Sequence, residues 1–268
     1  MTINQAKQIL QEEVDLQLVA QAYTEISANK LLKIRDGILK NRQFFDEISK
    51  IFQIVKQAGA KRKIIIKKNA QVSILLTSNH PFYGGLETPL MDRFSKDTSL
   101  TKIVIGRTGL IYLKSKYPSL NFTSTVFKDD LASEAELVNF ISFVRNFNQI
   151  LIFYSKMRSV VIQETHIVDI GQGVATKNSL PNLDYIFEPE IHQMLSFFDS
   201  QIIRSLFVQA ELETELARTA ARLMSMDQAG ANAKEAIEKQ KKNLLLARRI
   251  VETNNLLEMV SLQRRHYG

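Results

Sequence analysis

The residues whose types and spacing come nearest to a ligand site form the stretch Thr77-Ser78-Asn79-His80-Pro81-Phe82-Tyr83-Gly84-Gly85, at the end of an apolar run of strand character. Open α/β sheets bind ligands at the carboxyl ends of their strands, and glycines there let a backbone approach a phosphate. This stretch contains neither GxGxxG nor GxxxxGKS/T, and Pro81 removes one of the amide donors such a loop would use. A turn whose glycines start a helix accounts for it better. His80, His166, His192 and His266 are far apart, and none has metal-ligand spacing on a helix face. Gly171-Gln172-Gly173 is a lone turn signal. Glu211, Glu213 and Glu215 alternate around a helix instead of facing one another across a cleft, which argues against an acid/base pair. No catalytic, cofactor-binding or metal site is expected, and binding by shape and charge is the chemistry left.

Composition narrows the partners. The 268 residues carry a formal net charge of +7 and no cysteine, so thiolate zinc sites, disulfides and cysteine nucleophiles are excluded. The basic excess points to an acidic partner surface. Its clusters are Lys61-Arg62-Lys63 with Lys67-Lys68, Lys239-Lys241-Lys242, Arg248-Arg249 and Arg264-Arg265, with no interleaved aromatics of the kind that stack on bases. Nucleic acid is therefore not expected as a partner. No apolar run approaches the roughly 18 residues that cross a bilayer, and the acidic start at Glu12, Glu13 and Asp15 resembles no signal or transit peptide. The expected location is cytoplasmic or peripheral to a membrane.

Three regions would have to position any such surface. From Glu190 to Gln263 the chain has no proline and a single glycine, Gly230, and apolar residues return every three or four positions. Ile202, Leu216, Leu223, Ile237, Leu244 and Val251 keep one heptad phase, and Phe198, Leu212, Met226, Ala233 and Ala247 the other, which asks for a partner helix. Alanines around Gly230 allow that partner a close approach. From Ile3 to Lys56 a second helix is predicted, with Leu31, Ile38, Phe45 and Phe52 seven apart and Ile34, Ile48 and Val55 complementing them. Upstream, Val19, Ala22 and Ile26 are expected to continue its apolar face in a shifted register, and Gly59 to end it. Between the helices, strand-like runs at 72–77, 102–105, 121–127, 149–154, 160–168 and weakly 183–187 alternate with helix-like segments at 85–96, 108–116 and 133–147. That order predicts a partly parallel sheet with an antiparallel edge.

The expected fold is an α/β insert between long N- and C-terminal helices that form an antiparallel coiled coil. Its parts are an N-terminal coiled-coil helix over 1–58, a Rossmann-like α/β domain over 63–188 and a C-terminal coiled-coil helix over 190–268. On the residues alone, a self-associating coiled-coil scaffold with a degenerate nucleotide-binding-like domain fits the same pattern.

The sequence resembles the gamma subunit of F-type ATP synthase along its whole length. Thr77, Ser78, Gly84 and Gly85 match that family's TSDRGLCGG motif, Gly106 and Gly109 its second-strand turn, and Glu188-Pro189 the pair before its terminal helix. Ala220-Ala221-Arg222-Leu223-Met224-Ser225-Met226-Asp227, Asn232-Ala233, Ala247-Arg248 and Leu257-Glu258 fall on its C-terminal motif. Arg249 stands where the family has glutamine, and Glu252 and Asn255 where it has isoleucine and glutamate, while Thr253 matches. Gln21-Ala22-Tyr23 replaces lysine-alanine-methionine.

The resemblance implies a non-catalytic rotor shaft. Its partners would be the alpha and beta subunits, the epsilon subunit and the c-ring, and it would couple proton or sodium flow to ATP synthesis or hydrolysis. It also implies contacts to beta at Arg248, Arg249 and Thr253, with Tyr23 opposite. Lys239, Lys241 and Lys242 would face an acidic lever segment. Lacking the cysteine pair of chloroplast members, the chain is expected to be bacterial and to lie on the cytoplasmic side of the cell membrane.

Overall fold

The computed structural model describes residues 3–60, 71–80, 83, 85–147, 149–170 and 191–266. The basic cluster within 61–68, the Gly171-Gln172-Gly173 turn, the weak strand at 183–187, Glu188-Pro189 and Gly84 fall outside these residues.

Helix α1 spans Ile3–Ala60 and α5 spans Ile191–His266, the latter running unbroken through Gly230. Between them come β1 (Gln71–Leu76), α2 (Thr88–Ser95), β2 (Thr101–Ile105), α3 (Arg107–Lys116), β3 (Thr123–Thr125), α4 (Glu134–Val144), β4 (Gln149–Met157) and β5 (Gln163–Asp169). Val160 and Ile162, expected in the strand over 160–168, instead lie in the β4–β5 turn, where the Ile162 amide donates to the Ser159 carbonyl at 3.2 Å. Contacts divide the chain into two units, Met1–Ser27 with Arg222–Gly268, and Ala28–Ala221.

In the first unit the helices run antiparallel. Gln240 Nε2 donates to the Ala6 carbonyl at 3.3 Å, and a Cβ built on Gly230 would lie 3.8 Å from that of Ala20. The seam buries Ala6, Ala20, Ser27, Ala233 and Ile237. Val19 and Ile26, expected to continue the apolar face, are 53% and 58% exposed. Around Gly230, flanked by Ala229, Ala231 and Ala233, the reason is steric: the backbones come close, and Ala20 takes the inward position beside Val19. A periodic apolar pattern cannot show that the smaller residues have taken the inward face.

In the second unit α1 and α5 are again antiparallel. Lys30 pairs with Glu215, while Asn41 Nδ2 reaches the Ser205 carbonyl at 3.0 Å and Gln209 Oε1 at 3.1 Å. The predicted stripe of α1 faces inward here, with Ile34, Ile38, Phe52 and Val55 buried. The five-stranded sheet has the order β3-β2-β1-β4-β5, and only the β4–β5 pair is antiparallel. Side chains alternate across it. Val72, Ile74, Ile103, Ile150 and Ile152 share one cluster with Phe140 of α4 and Ile203 and Phe207 of α5. Leu75, Val104 and Phe153 share the other with Leu90 and Phe94 of α2 and Leu113 of α3. α5 therefore covers one face of the sheet as well as pairing with α1.

Candidate functional site

The turn after β1 is closed by its own side chains. The Ser78 amide donates to Glu87 Oε1 at 2.9 Å, and its hydroxyl to Glu87 Oε2 at 3.0 Å. The Asn79 amide donates to Asp130 Oδ1 at 2.8 Å. At the start of α3, where an anion would look for donors, the Arg107 amide goes to Asn79 Oδ1 at 3.2 Å. The Thr108 amide goes to the Ser78 carbonyl at 3.0 Å, and the Gly109 amide to Thr77 Oγ1 at 3.0 Å. The glycines serve this packing. A Cβ on Gly109 would lie 2.6 Å from Thr77 Oγ1, and Gly106, at φ +101°, would bring one to 2.2 Å from the Thr77 carbonyl oxygen. The Ser78, Asn79, Arg107, Thr108 and Gly109 amides are thus spent on the protein itself, a different outcome from a phosphate cradle.

The glutamates of α5 each go to a different partner set. Glu213 Oε2 accepts the Tyr154 hydroxyl at 2.9 Å and lies 3.7 Å from Lys156 Nζ, while Oε1 accepts Gln209 Nε2 at 2.7 Å and Arg42 Nη2 at 3.3 Å. Burial works against its charge, but these donors hold its carboxyl below the usual range. Burial and the neighbouring Glu213 charge push the Tyr154 phenol up. Glu215 pairs with Lys30 and, at 3.6 Å, with Arg218. Arg218 also donates from Nε to Glu87 Oε1 at 2.8 Å, so the β1 turn is tied to α5. Arg218, Glu87 and Glu215 are 3%, 6% and 0% exposed, which makes this an ion network removed from water. Despite burial, the Glu87 and Glu215 charges shift the Arg218 guanidinium upward. Asp130, also opposed by burial, is held below the ordinary carboxylate range by the Asn79 amide, the Arg218 charge and the Tyr83 hydroxyl.

Glu211 is the exception. It is 7% exposed, and its contact is with the Ala132 amide at 3.4 Å. Burial pushes its carboxyl up to about 8 from 4.5, with the nearby Glu136 charge adding to the rise and the Ala132 amide and Arg218 opposing it. The folded pKa exceeds the unfolded one. Its contribution to stability is therefore fully present below about 4.5 and is lost as pH rises through about 8, at up to about 1.4 kcal/mol per pH unit. Glu211→Gln should lie close to the parent at pH 5 and exceed it by up to about 5 kcal/mol at pH 9 in urea unfolding.

The residues expected to meet partners all belong to the first unit. Lys239, Lys241, Lys242, Arg248, Arg249 and Thr253 are exposed on α5, and Tyr23 is 38% exposed on α1. They do not form one patch. Because Ala20 sits beside Gly230 and Ala6 beside Gln240, Tyr23 is level with the residues just before Gly230, roughly 30 Å of helix from Arg248. Lys241 Nζ donates to Glu238 at 3.2 Å, and the Thr253 hydroxyl donates to the Arg249 carbonyl of its own helix at 2.8 Å. Beside Arg248, an open apolar groove of about 690 Å³ is lined by Ile3, Ala6, Leu246, Ala247, Ile250 and Val251. From Leu245 to Val260 the large apolar residues of α5 are mostly half exposed. Among the described residues no group of acidic and histidine side chains could hold a metal ion.

The buried network escaped the sequence reading because its partners lie far apart in the chain, 131 residues for Arg218 and Glu87 and 185 for Lys30 and Glu215. Glutamates alternating around a helix argued against an acid/base pair but carried no sign of their partners. The one available signal was three acidic residues in a stretch otherwise filled by alanine, leucine and threonine.

A sequence model of the ATP synthase family matches residues 3–262. The chain is 23% identical over 264 residues to an ATP synthase gamma chain of Trichlorobacter lovleyi, an alignment covering 91% of each. It is 24% identical over 286 residues to that of Pelagibacter ubique, covering 97% of this chain and 98% of the other. Among solved structures, the rotor of Euglena gracilis mitochondrial ATP synthase matches with a TM-score of 0.61 and 13% identity, over 93% of this chain and 98% of that one. The central stalk and c-ring structure of Tetrahymena thermophila mitochondrial ATP synthase matches at 0.58 and 14% identity, over 79% and 99%. These likenesses show a shared fold.

Proposed function

This chain belongs to the gamma-chain family of ATP synthases, and on that premise we propose that it is the central rotor shaft of an F-type enzyme. The observation that carries the reading is an antiparallel pair formed by the chain's two ends, with the α/β insert between them, matched to gamma chains from end to end. The paired helices stand in the central cavity of a hexamer of alpha and beta subunits. The α/β module rests on the c-ring beside the epsilon subunit, on the cytoplasmic side of a bacterial membrane. No helix among the described residues is long and apolar enough to cross a membrane.

The mechanism is mechanical, and the subunit itself performs no catalysis. A shaft without threefold symmetry presents a different face to each of three catalytic sites, and rotation changes their nucleotide affinities in turn, at about 1.4 kcal/mol for each tenfold change. Contacts to beta fall on Arg248, Arg249 and Thr253, with Tyr23 as a separate contact on α1. Lys239, Lys241 and Lys242 meet an acidic segment of beta. Their exposure on α5 and the excess positive charge support this assignment.

Reversing charge with Arg248→Glu and Arg249→Glu together should lower coupled ATP-driven ion pumping by about tenfold, the loss of roughly 1.4 kcal/mol of differential contact. Melting of the isolated chain should not change. Unchanged pumping in reconstituted enzyme would remove the contact assignment. A homodimer that ignores added alpha and beta subunits would remove the rotor reading in favour of a self-associating scaffold.

A further inference from the structure

A shaft must resist being twisted in its mounting. Apolar burial is non-directional and allows side chains to slide, whereas charge-assisted hydrogen bonds are lost when their angles change. Where α5 lies on the sheet its contacts are of both kinds; apart from the solvent-screened surface pair of Arg204 with Glu134 of α4, the charge-assisted ones fall on the buried Glu213, Glu215 and Arg218. At about 100° per residue, Glu213 leaves the helix on one side, and Glu215 and Arg218 leave it roughly 140–160° away. Glu213 engages Tyr154 and Lys156 of β4 and Arg42 of α1. Arg218 engages Glu87 at the N-terminus of α2, and Glu215 engages Lys30 of α1. The helix is thus gripped on opposed sides by the module and by its partner helix, an arrangement that opposes rotation about its own axis in either sense.

We infer that the turning moment passes between the α/β module and α5 through this pair of opposed grips, Glu213 on one side and the Glu215–Arg218 pair on the other. These are positioning residues, and the inference rests on the rotor reading above. Arg204, which pairs with Glu134 of α4 at the surface, marks a place where the same two elements can be joined artificially.

The test uses the assembled holoenzyme. The chain has no cysteine, so one introduced at the exposed Lys114 of α3 attaches a bead to the module. ATP-driven rotation of the unaltered chain is recorded first, and its absence would overturn the rotor reading itself. In the nucleotide-stalled enzyme, Glu213→Ala should then broaden the bead's angular variance about twofold, one of two comparable directional grips having been removed. Glu213→Gln, which can still accept from Tyr154, should recover part of the loss. Joining Arg204→Cys to Glu134→Cys with a short bismaleimide, the bead then held by a fused tag on the module, should return the variance to that of the parent. An unchanged variance in Glu213→Ala, or one that stays broad after cross-linking, would overturn the joint while leaving the rotor standing. Should Glu213→Ala fail to assemble, Tyr154→Phe removes one bond of the same grip and must broaden the variance, or the joint is refuted.

Discussion

Replacing Arg218 with methionine will lower the stability of the folded chain by about 3–5 kcal/mol, because it leaves the buried Glu87 without its cation and Glu215 with Lys30 alone. Glu87 and Glu215 are 6% and 0% exposed, so water cannot take over from the guanidinium. The methionine fills most of the volume, which separates the charge effect from a cavity. The loss should be read from urea unfolding midpoints. Adding Glu87→Gln should recover at least about 1 kcal/mol, since one of the stranded charges is then gone. A single variant as stable as the parent would show that the network contributes little beyond its own desolvation. The effect exceeds that expected for the surface pair Lys116–Asp92, where the Lys116 and Asp92 side chains are 48% and 34% exposed and water screens the interaction.

Gly106→Ala will cost about 4 kcal/mol, combining a backbone conformation hostile to side chains with direct overlap. At φ +101° an L residue is strained whatever its surroundings, and here the new methyl would also lie 2.2 Å from the Thr77 carbonyl oxygen. That oxygen sits where β1 meets β2, beside the bond from the Thr77 amide to the Ile105 carbonyl at 2.8 Å, so relief would have to part the central strands. Gly85 supplies the control. It too has positive φ, +76°, but nothing lies within 4 Å of its added Cβ. Gly85→Ala should cost only about 1–2 kcal/mol. Equal losses at the two sites would mean that overlap at Gly106 is relieved cheaply and that backbone strain alone sets the effect.

Much of this architecture was readable before any coordinates. The seven-residue interval through Ile38 and Phe52, the strand–helix alternation and the antiparallel last pair all rest on local periodicity, which short-range chemistry dictates. The inward face of α1 before Ser27 was misread, because apolar side chains were ranked by hydrophobicity when the closeness of the backbones selects by size. The burial of Glu211, Glu213 and Glu215 could not be read either. Whether a carboxylate is solvated or clamped depends on Tyr154, Lys30 and Arg218 arriving from elsewhere in the fold. Likewise the glycines after β1 and β2 gave a correct turn and an ambiguous purpose. Only the donors already bound to Glu87, Asp130 and Thr77 distinguish packing from ligand capture.

The bond from Gln240 to Ala6 joins residues 234 positions apart. During synthesis at about 5–20 residues per second, the opening helix therefore waits on the order of ten seconds or longer for its mate to leave the ribosome. Throughout that interval Val19, Ile26 and the small seam residues are all bare together. Nascent chains of this protein should accordingly be among the clients of holdase chaperones, and a circular permutant whose linker spans the roughly 30 Å by which α5 outruns the start of α1 should depend on them less.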